Sequence, residues 1–243
     1  MAATLRTNPL GRGFFTVREA ARLIEFSDAH RIYGWLKGYP GRGVGPLLTR
    51  DYQPIEDHHE LSFLDLIEIR FVEHFRHHQV KMRALRRAAE LLRKEFGTGH
   101  PFATNRVHLV ADKADVFLVV MKEAATETKD RVLLSLTTEN YVIEEMIKRA
   151  LVPGLVFDDA TRLARKWHPR PQKFPEIVID PLIAYGQPAG ASGIPTATLY
   201  EAWQSEEEDD DAVAYWHDVK AQEVQQAVEF ERLLDVQRQA VAA

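Results

Sequence analysis

His74, His77 and His78 are the first residues in this chain whose spacing could do chemistry, because i, i+3 and i+4 gathers three imidazoles on one face of a helix. His58 and His59 lie nearby in sequence. No carboxylate stands at a fixed spacing to complete a metal set, so surface or core histidines are expected, and no metal or other cofactor. Asp158, Asp159 and Asp180 are the acids a metal-dependent nuclease would need close together. Nothing in their spacing gathers them, and turn or capping roles are expected. The serine in Gly190-Ala191-Ser192-Gly193 lacks the glycine spacing of a nucleophile elbow, and the Gly-rich turn at 41–45 does not open a helix after a strand. The chain has no phosphate-loop motif and no His-Glu-x-x-His. It is not expected to be an enzyme.

The chemistry that is present is cationic and aromatic, and it sits near the front. Residues 14–37 read as two short helices joined by a tight connection. Thr16 and Glu19 have the spacing of a capping box, and Val17, Ala20, Ala21 and Ile24 follow on one helical face. Ser27 can cap a second helix whose apolar face is Ile32, Trp35 and Leu36. That packing turns His30, Tyr33, Gly34 and Lys37 outward, with Arg31 at the edge. A cation, two rings and a glycine suit close approach to a groove. Residues 38–55 then read as a loop and small β hairpin, a wing, with Leu47-Leu48 and Pro54-Ile55 flanking Arg50 and Asp51. Arg42 and Arg50 on it could reach phosphates.

Charge is divided along the chain. Residues 1–50 carry eight Lys or Arg against three Asp or Glu, whereas residues 175–243 carry three against fourteen, inside a total of −5. A basic front attached to an acidic back implies a polyanion at one end and something else at the other. A chain of 243 residues, 45% hydrophobic, can bury a substantial core as one large or two small domains. No apolar run approaches the roughly 18 residues of a membrane span, and the first residues lack the apolar core of a signal peptide, so a cytoplasmic protein without membrane contact is expected. The absence of cysteine excludes disulfides and thiolate metal sites.

Residues 1–13 have no periodicity and read as a flexible arm. Beyond the wing, 61–79 is a helix with Phe63, Ile67, Phe71 and Phe75 every four residues and Ser62 able to cap it. A second helix at 81–96 carries Met82, Leu85, Ala89, Leu92 and Phe96, a seam that could be core or a dimer contact, and a basic outer face of Arg83, Arg86, Arg87, Arg93 and Lys94. Three strands are expected at 107–110, 116–121 and 132–136, with 122–130 as a polar connection, then a helix at 139–150 and strands at 155–157 and 162–167. Trp-His-Pro-Arg-Pro at 167–171 is the best candidate boundary. The last part opens with a short strand at 177–179, has Thr196 capping a helix bearing Leu199, Tyr200 and Trp203, and continues with helices at 212–216 and 223–234. The six acids of 206–211 read as a solvated loop or as a decoy for a basic surface.

The order helix, helix, wing, helix, helix over 14–96 resembles the winged-helix domain of MerR-type regulators. That resemblance implies that Arg31, Tyr33 and Lys37 lie in or beside the major groove while Arg18, Arg22, Arg42 and Arg50 hold the backbone. The wing is longer than the family's. The run 179–203 is similar to the core signature of domain-of-unknown-function family 433, with Asp180, Pro181, Gly186, Pro188, Gly190, Ile194, Pro195 and Thr196 matching. Gly193 stands where an arginine is common, so no role of that arginine carries over. Residues 213–231 match the closing helix pair. Together the layout resembles VapB-type antitoxins paired with PIN-like ribonuclease toxins. It implies an α+β, mostly helical chain in three parts: a winged helix at 1–96, a small β-containing segment at 97–172 and a helical antitoxin domain at 173–243. The implied partners are operator DNA, a PIN-like ribonuclease toxin and a second copy of the chain, as a homodimer or a higher toxin-antitoxin assembly. The alternatives are a stand-alone MerR-like regulator sensing a ligand or protein through its middle segment, and a metal-dependent enzyme.

Overall fold

A computed structural model describes residues 11–26, 28–53, 59–108, 114–138, 142, 145, 147 and 153–242. Its class is α+β and mostly helical, with one two-stranded antiparallel sheet among the described residues. The chain forms two compact units. The first is drawn from Met1–Ala29, Pro54–Phe63 and Lys166–Ala243, and the second from His30–Gln53 and Leu64–Arg165. These lines fall elsewhere than the three intervals read from the sequence.

In the first unit, α1 (Val17–Leu23) begins where the capping box places it: the Thr16 hydroxyl accepts from the Glu19 N–H at 3.1 Å and Glu19 accepts from the Thr16 N–H at 2.7 Å. Val17, Ala20, Ala21 and Leu23 are buried. Phe15 and Leu61 exchange backbone hydrogen bonds of 3.0 and 2.8 Å. The strand expected at 177–179 exists only as isolated bridges, Trp167 with Ile179 and Val178 with Ala189. The chain turns at once, because the Asp180 carboxylate accepts from the Leu182 N–H at 2.9 Å and Pro181 offers no donor.

Helices α8 (Thr196–Ser205), α9 (Asp210–His217) and α10 (Ala221–Ala242) follow, and both later helices are longer than their apolar pattern indicated. Asp209 caps α9, accepting from the N–H groups of Asp211 at 2.9 Å and Ala212 at 3.0 Å, so the acidic run partly serves as a helix start. Leu199, Trp203, Val213, Ala214, Val224, Ala227 and Val228 form their shared core. Thr196 does not cap α8. It is the first helical residue, and its hydroxyl donates to the buried Glu231 carboxylate instead. Gly190 is demanded by a close approach: a Cβ there would stand 2.4 Å from Glu223 Oε1, which accepts from the Ser192 N–H and hydroxyl at 2.9 and 2.7 Å.

The second unit contains α2 (Ala29–Lys37), α3 (Phe63–His77), α4 (Met82–Phe96), α5 (Asn105–His108), α6 (Ala114–Thr128), α7 (Arg131–Thr138) and the pair β1 (Leu155–Phe157) and β2 (Ala164–Trp167), whose last residues pass to the first unit. Phe71 stacks on Phe75 and Phe102 at centroid distances of 4.6 and 4.4 Å and meets the edge of Phe117. The α4 seam of Leu85, Ala89 and Leu92 is buried inside the chain, with α6 packed on that helix. Gly97 ends α4 in the left-handed conformation, as its position implied.

The central segment departs most from the sequence reading. The apolar run at 116–121 and the polar stretch after it are one helix, α6, and 132–136 lies in α7; 107–108 belong to α5. A short apolar run cannot distinguish a buried strand from a buried helix. Here Phe117, Met121, Ala124 and Ala125 go inward while Val119 stays outside, the alternation of a helix. The missed start signal was Asp130, whose carboxylate accepts from the N–H groups of Val132 at 3.1 Å and Leu133 at 3.2 Å.

The wing is also different. After α2 the chain makes a 3-10 turn at Pro40–Arg42, closed by Tyr39 and Val44, and no hairpin strand forms at 47–53. Leu47 and Leu48 are buried and donate their N–H groups back to the Trp35 carbonyl at 2.8 and 3.4 Å. The remainder of the hairpin at Pro54-Ile55, the Ser27 cap, His58, the arm as far as residue 10 and nearly all of the helix at 139–150 lie outside the described residues. No helix among the described residues is long and apolar enough to cross a membrane.

Candidate nucleic-acid interface

Helix α2 owes its orientation to Ile32, Trp35 and Leu36, all buried, which leave the opposite stripe exposed. His30, Tyr33 and Lys37 occupy that stripe. The rings of His30 and Tyr33 meet edge to face at 6.4 Å, and Lys37 Nζ lies 6.0 Å from the Tyr33 ring centroid. Three of the expected residues are thereby brought together as two rings and a cation, a surface able to meet bases and phosphates.

Gly34 was expected to let a groove approach. Its bare side is occupied from within: a Cβ there would stand 2.2 Å from the Tyr39 hydroxyl and 2.8 Å from its ring. Tyr39 leans on α2, and Arg42 stands 6.0 Å from the Tyr39 ring on the turn that follows. The glycine therefore makes room for Tyr39, whose ring in turn carries Arg42.

The other expected residues are more engaged. Arg31 is half-buried, 6.0 Å from the Trp35 ring, and within the field of Glu73. Arg50 is half-buried. In the other unit, Arg18 is exposed on α1. Arg22 is not held out for a phosphate: its guanidinium is paired with Glu231 at 2.7 Å and Asp235 at 2.9 Å on α10.

A groove of about 610 Å³ runs between the 39–45 turn and α4, lined by Arg42, Arg83, Arg86, Arg87, Glu90 and Glu127 among others. The guanidinium of Arg86 donates to the Gly45 carbonyl, fixing the turn against the helix. Arg87 is taken by Glu127 at 2.5 Å and Glu90 at 3.3 Å, and its hydrogen bond holds the Glu127 carboxyl below the usual carboxylate range. Arg83 and Arg42 are the exposed cations of this groove. The arginine spacing on α4 was visible in sequence, but its meeting with the turn was not.

Two histidine groups complete the inventory. His74, His77 and His78 do come together, with ring centroids of 4.6 Å for His74 and His78 and 5.7 Å for His77 and His78. Burial first, then His78, Arg70 and His77, push the His74 imidazolium down to about 4. No group of three or more metal-ligating side chains is arranged around an ion site among the described residues. His100, which the sequence did not single out, is buried with Asp51 and Glu68 each at 3.3 Å and Asp65 at 3.8 Å. Burial pulls its pKa down, but the hydrogen bonds to Asp51 and Glu68 and the charges of Glu68 and Asp65 outweigh that and hold it up at about 10. It is a locked imidazolium, suited to binding the Asp51 loop to α3 rather than to moving protons. Asp158 caps its own turn, accepting from Ala160 and Thr161.

No family model matches the chain, and no curated protein matches it. Among solved structures, it is similar to the crystal structure of Rv2018 from Mycobacterium tuberculosis, with 23% identity, 88% of this chain and 96% of that one covered, and a TM-score of 0.63. At that identity the likeness concerns the fold.

Proposed function

We propose that this chain is the antitoxin of a two-protein system: it binds operator DNA through the α2 stripe and the following turn, and it captures and silences a PIN-like ribonuclease through its acidic C-terminal helices. The observation that carries the reading is the opposition of outward chemistry. One unit turns His30, Tyr33, Lys37 and Arg42 to solvent, whereas the other turns out the acids of 206–211. Phosphates are attracted by the first and repelled by the second, so one polyanion cannot serve both. The winged-helix and antitoxin layout, the dimer on a two-fold operator and the three-part domain division belong to this proposal. So does a cytoplasmic location.

The test is co-purification of the tagged chain with the product of the adjacent gene, followed by ribonuclease assays on the complex and on the released partner. A stable complex that is silent until this chain is removed is the expected result. A chain with no partner that still binds its own promoter selectively would replace the antitoxin with a stand-alone regulator.

A further inference from the structure

Helix α9 is held rigidly on one side and bare on the other. Val213 and Ala214 are buried against the cluster containing Leu199, Trp203, Val224 and Val228. The next two residues, Tyr215 and Trp216, are 80% and 70% exposed, with ring centroids 5.6 Å apart and planes at 72°. Two adjacent large aromatics on an anchored helix form a preorganised apolar knob, and Trp and Tyr are the side chains that most often dominate protein interfaces.

The charge around the knob selects its occupant. Asp211, one turn before Tyr215, and Asp218, two residues after Trp216, are both exposed, as are Glu206 and Glu207. No Lys or Arg occurs between Lys173 and Lys220. Arg232 approaches this stretch at 3.7 Å from Glu208, where it also lies over Trp203. A nucleic acid would meet repulsion here, and so would the same face of a second copy. A protein with a cationic contact surface would gain on both counts, by covering the rings and by neutralising the acids.

We infer that Tyr215 and Trp216, flanked by Asp211 and Asp218, are the anchor on which a partner protein with a cationic surface docks. The inference rests on the antitoxin reading and names where on this chain the nuclease sits. An RNA-cleaving partner must itself attract phosphates, so a cationic surface is what its substrate already requires, and occupation of that surface by α9 would exclude RNA.

The experiment measures affinity between the full-length chain and the purified adjacent-gene nuclease by calorimetry, for wild type, Tyr215→Ala, Trp216→Ala, the double variant and Asp211→Asn. Both positions are largely exposed, so thermal unfolding and operator binding should match wild type. Each alanine is expected to weaken capture by ~30-fold or more, the threshold of an interface hot spot. Asp211→Asn should chiefly slow association and flatten its salt dependence. A wild-type chain that captures no nuclease removes the antitoxin reading and this docking site with it. Wild-type capture that survives unchanged in the double variant overturns the docking site alone. If the double variant instead splits a homodimer in sedimentation while capture persists, the knob is a self-contact and the inference is wrong.

Discussion

His100 and Glu231 are buried ions in different units, and they are neutralised in opposite ways. His100 is one cation facing the carboxylates of Asp51, Asp65 and Glu68. Glu231 is one carboxylate, 2% exposed, facing the Arg22 guanidinium and the Thr196 hydroxyl. The first centre is the more closed: its acids on α3 are fully buried, and of its carboxylates only Asp51 reaches the surface, at 18%. The second is open at one end, since Arg22 is 28% exposed and has Asp235 as a further partner. A closed centre must keep all its charges or lose its fold, whereas an open one can hydrate what is left behind.

The largest expected effect therefore falls on Glu68. It faces His100 and also accepts from the Phe102 N–H at 3.0 Å, so Glu68→Ala leaves a buried donor without its acceptor and takes from the buried cation one of its three carboxylates, where no water can replace it. A loss of about 3–5 kcal/mol in urea unfolding is expected. Glu231→Ala should be milder, about 2–3 kcal/mol, because Arg22 can turn to Asp235 and water. Equal losses would show that exposure of one partner is not what separates the two centres.

Titration sharpens the same contrast. The His100 pKa rises on folding, from the ordinary value of 6.5 to about 10, so its contribution is complete below about 6.5 and lost as pH climbs through about 10. Unfolding free energy should fall across that window in wild type. In His100→Gln the fall should be much shallower, and an unchanged slope would assign the alkaline loss to another group.

The outward faces make the next comparison. Lys37 and Arg22 were both expected at DNA, one at the groove and one at the backbone, but only Lys37 lies on the exposed stripe. Lys37→Ala is expected to weaken operator binding by ~1–3 kcal/mol and to lower the salt slope by about one. Arg22→Ala should leave affinity nearly unchanged and reduce stability instead. Gel-shift titrations at several salt concentrations, beside thermal unfolding, separate the two; a DNA defect in Arg22→Ala would mean that its pairing to α10 yields to phosphate.

What the sequence made legible was local. The start of α1 could be read because both partners of its capping box lie within one turn, whereas Ile24, read as part of its face, is the residue that ends it. α2, α3 and α4 were readable from their stripes, and the exposed set His30, Tyr33 and Lys37 followed from burying Ile32, Trp35 and Leu36. Three of the failures depend on residues distant in the chain. Arg22 looked like a surface cation because its partner is 209 residues away. α6 looked like a strand because its Phe117 is placed by Phe71. The α4 arginines could be read only as a basic outer face because their groove needs the turn at 39–45.

Thr16 and Thr196 give that lesson its finest test, since both stand just ahead of a helical pattern and both were read as caps. The Thr16 oxygen accepts from the backbone of its own helix, whereas the Thr196 hydroxyl donates across to α10. Valine keeps the shape of threonine and removes the hydroxyl in each case. Thr16→Val should forfeit a cap on an exposed helix end, about 1 kcal/mol, and Asp or Ser at the same position should restore it, since either side chain can accept. Thr196→Val removes a donor from a buried carboxylate, about 1–2 kcal/mol, and Asp there should deepen the loss by adding a second negative charge beside Glu231. The sign of the aspartate effect is therefore the discriminating measurement: rescue at 16 and damage at 196 follow only if one hydroxyl serves its own helix and the other a helix from later in the chain.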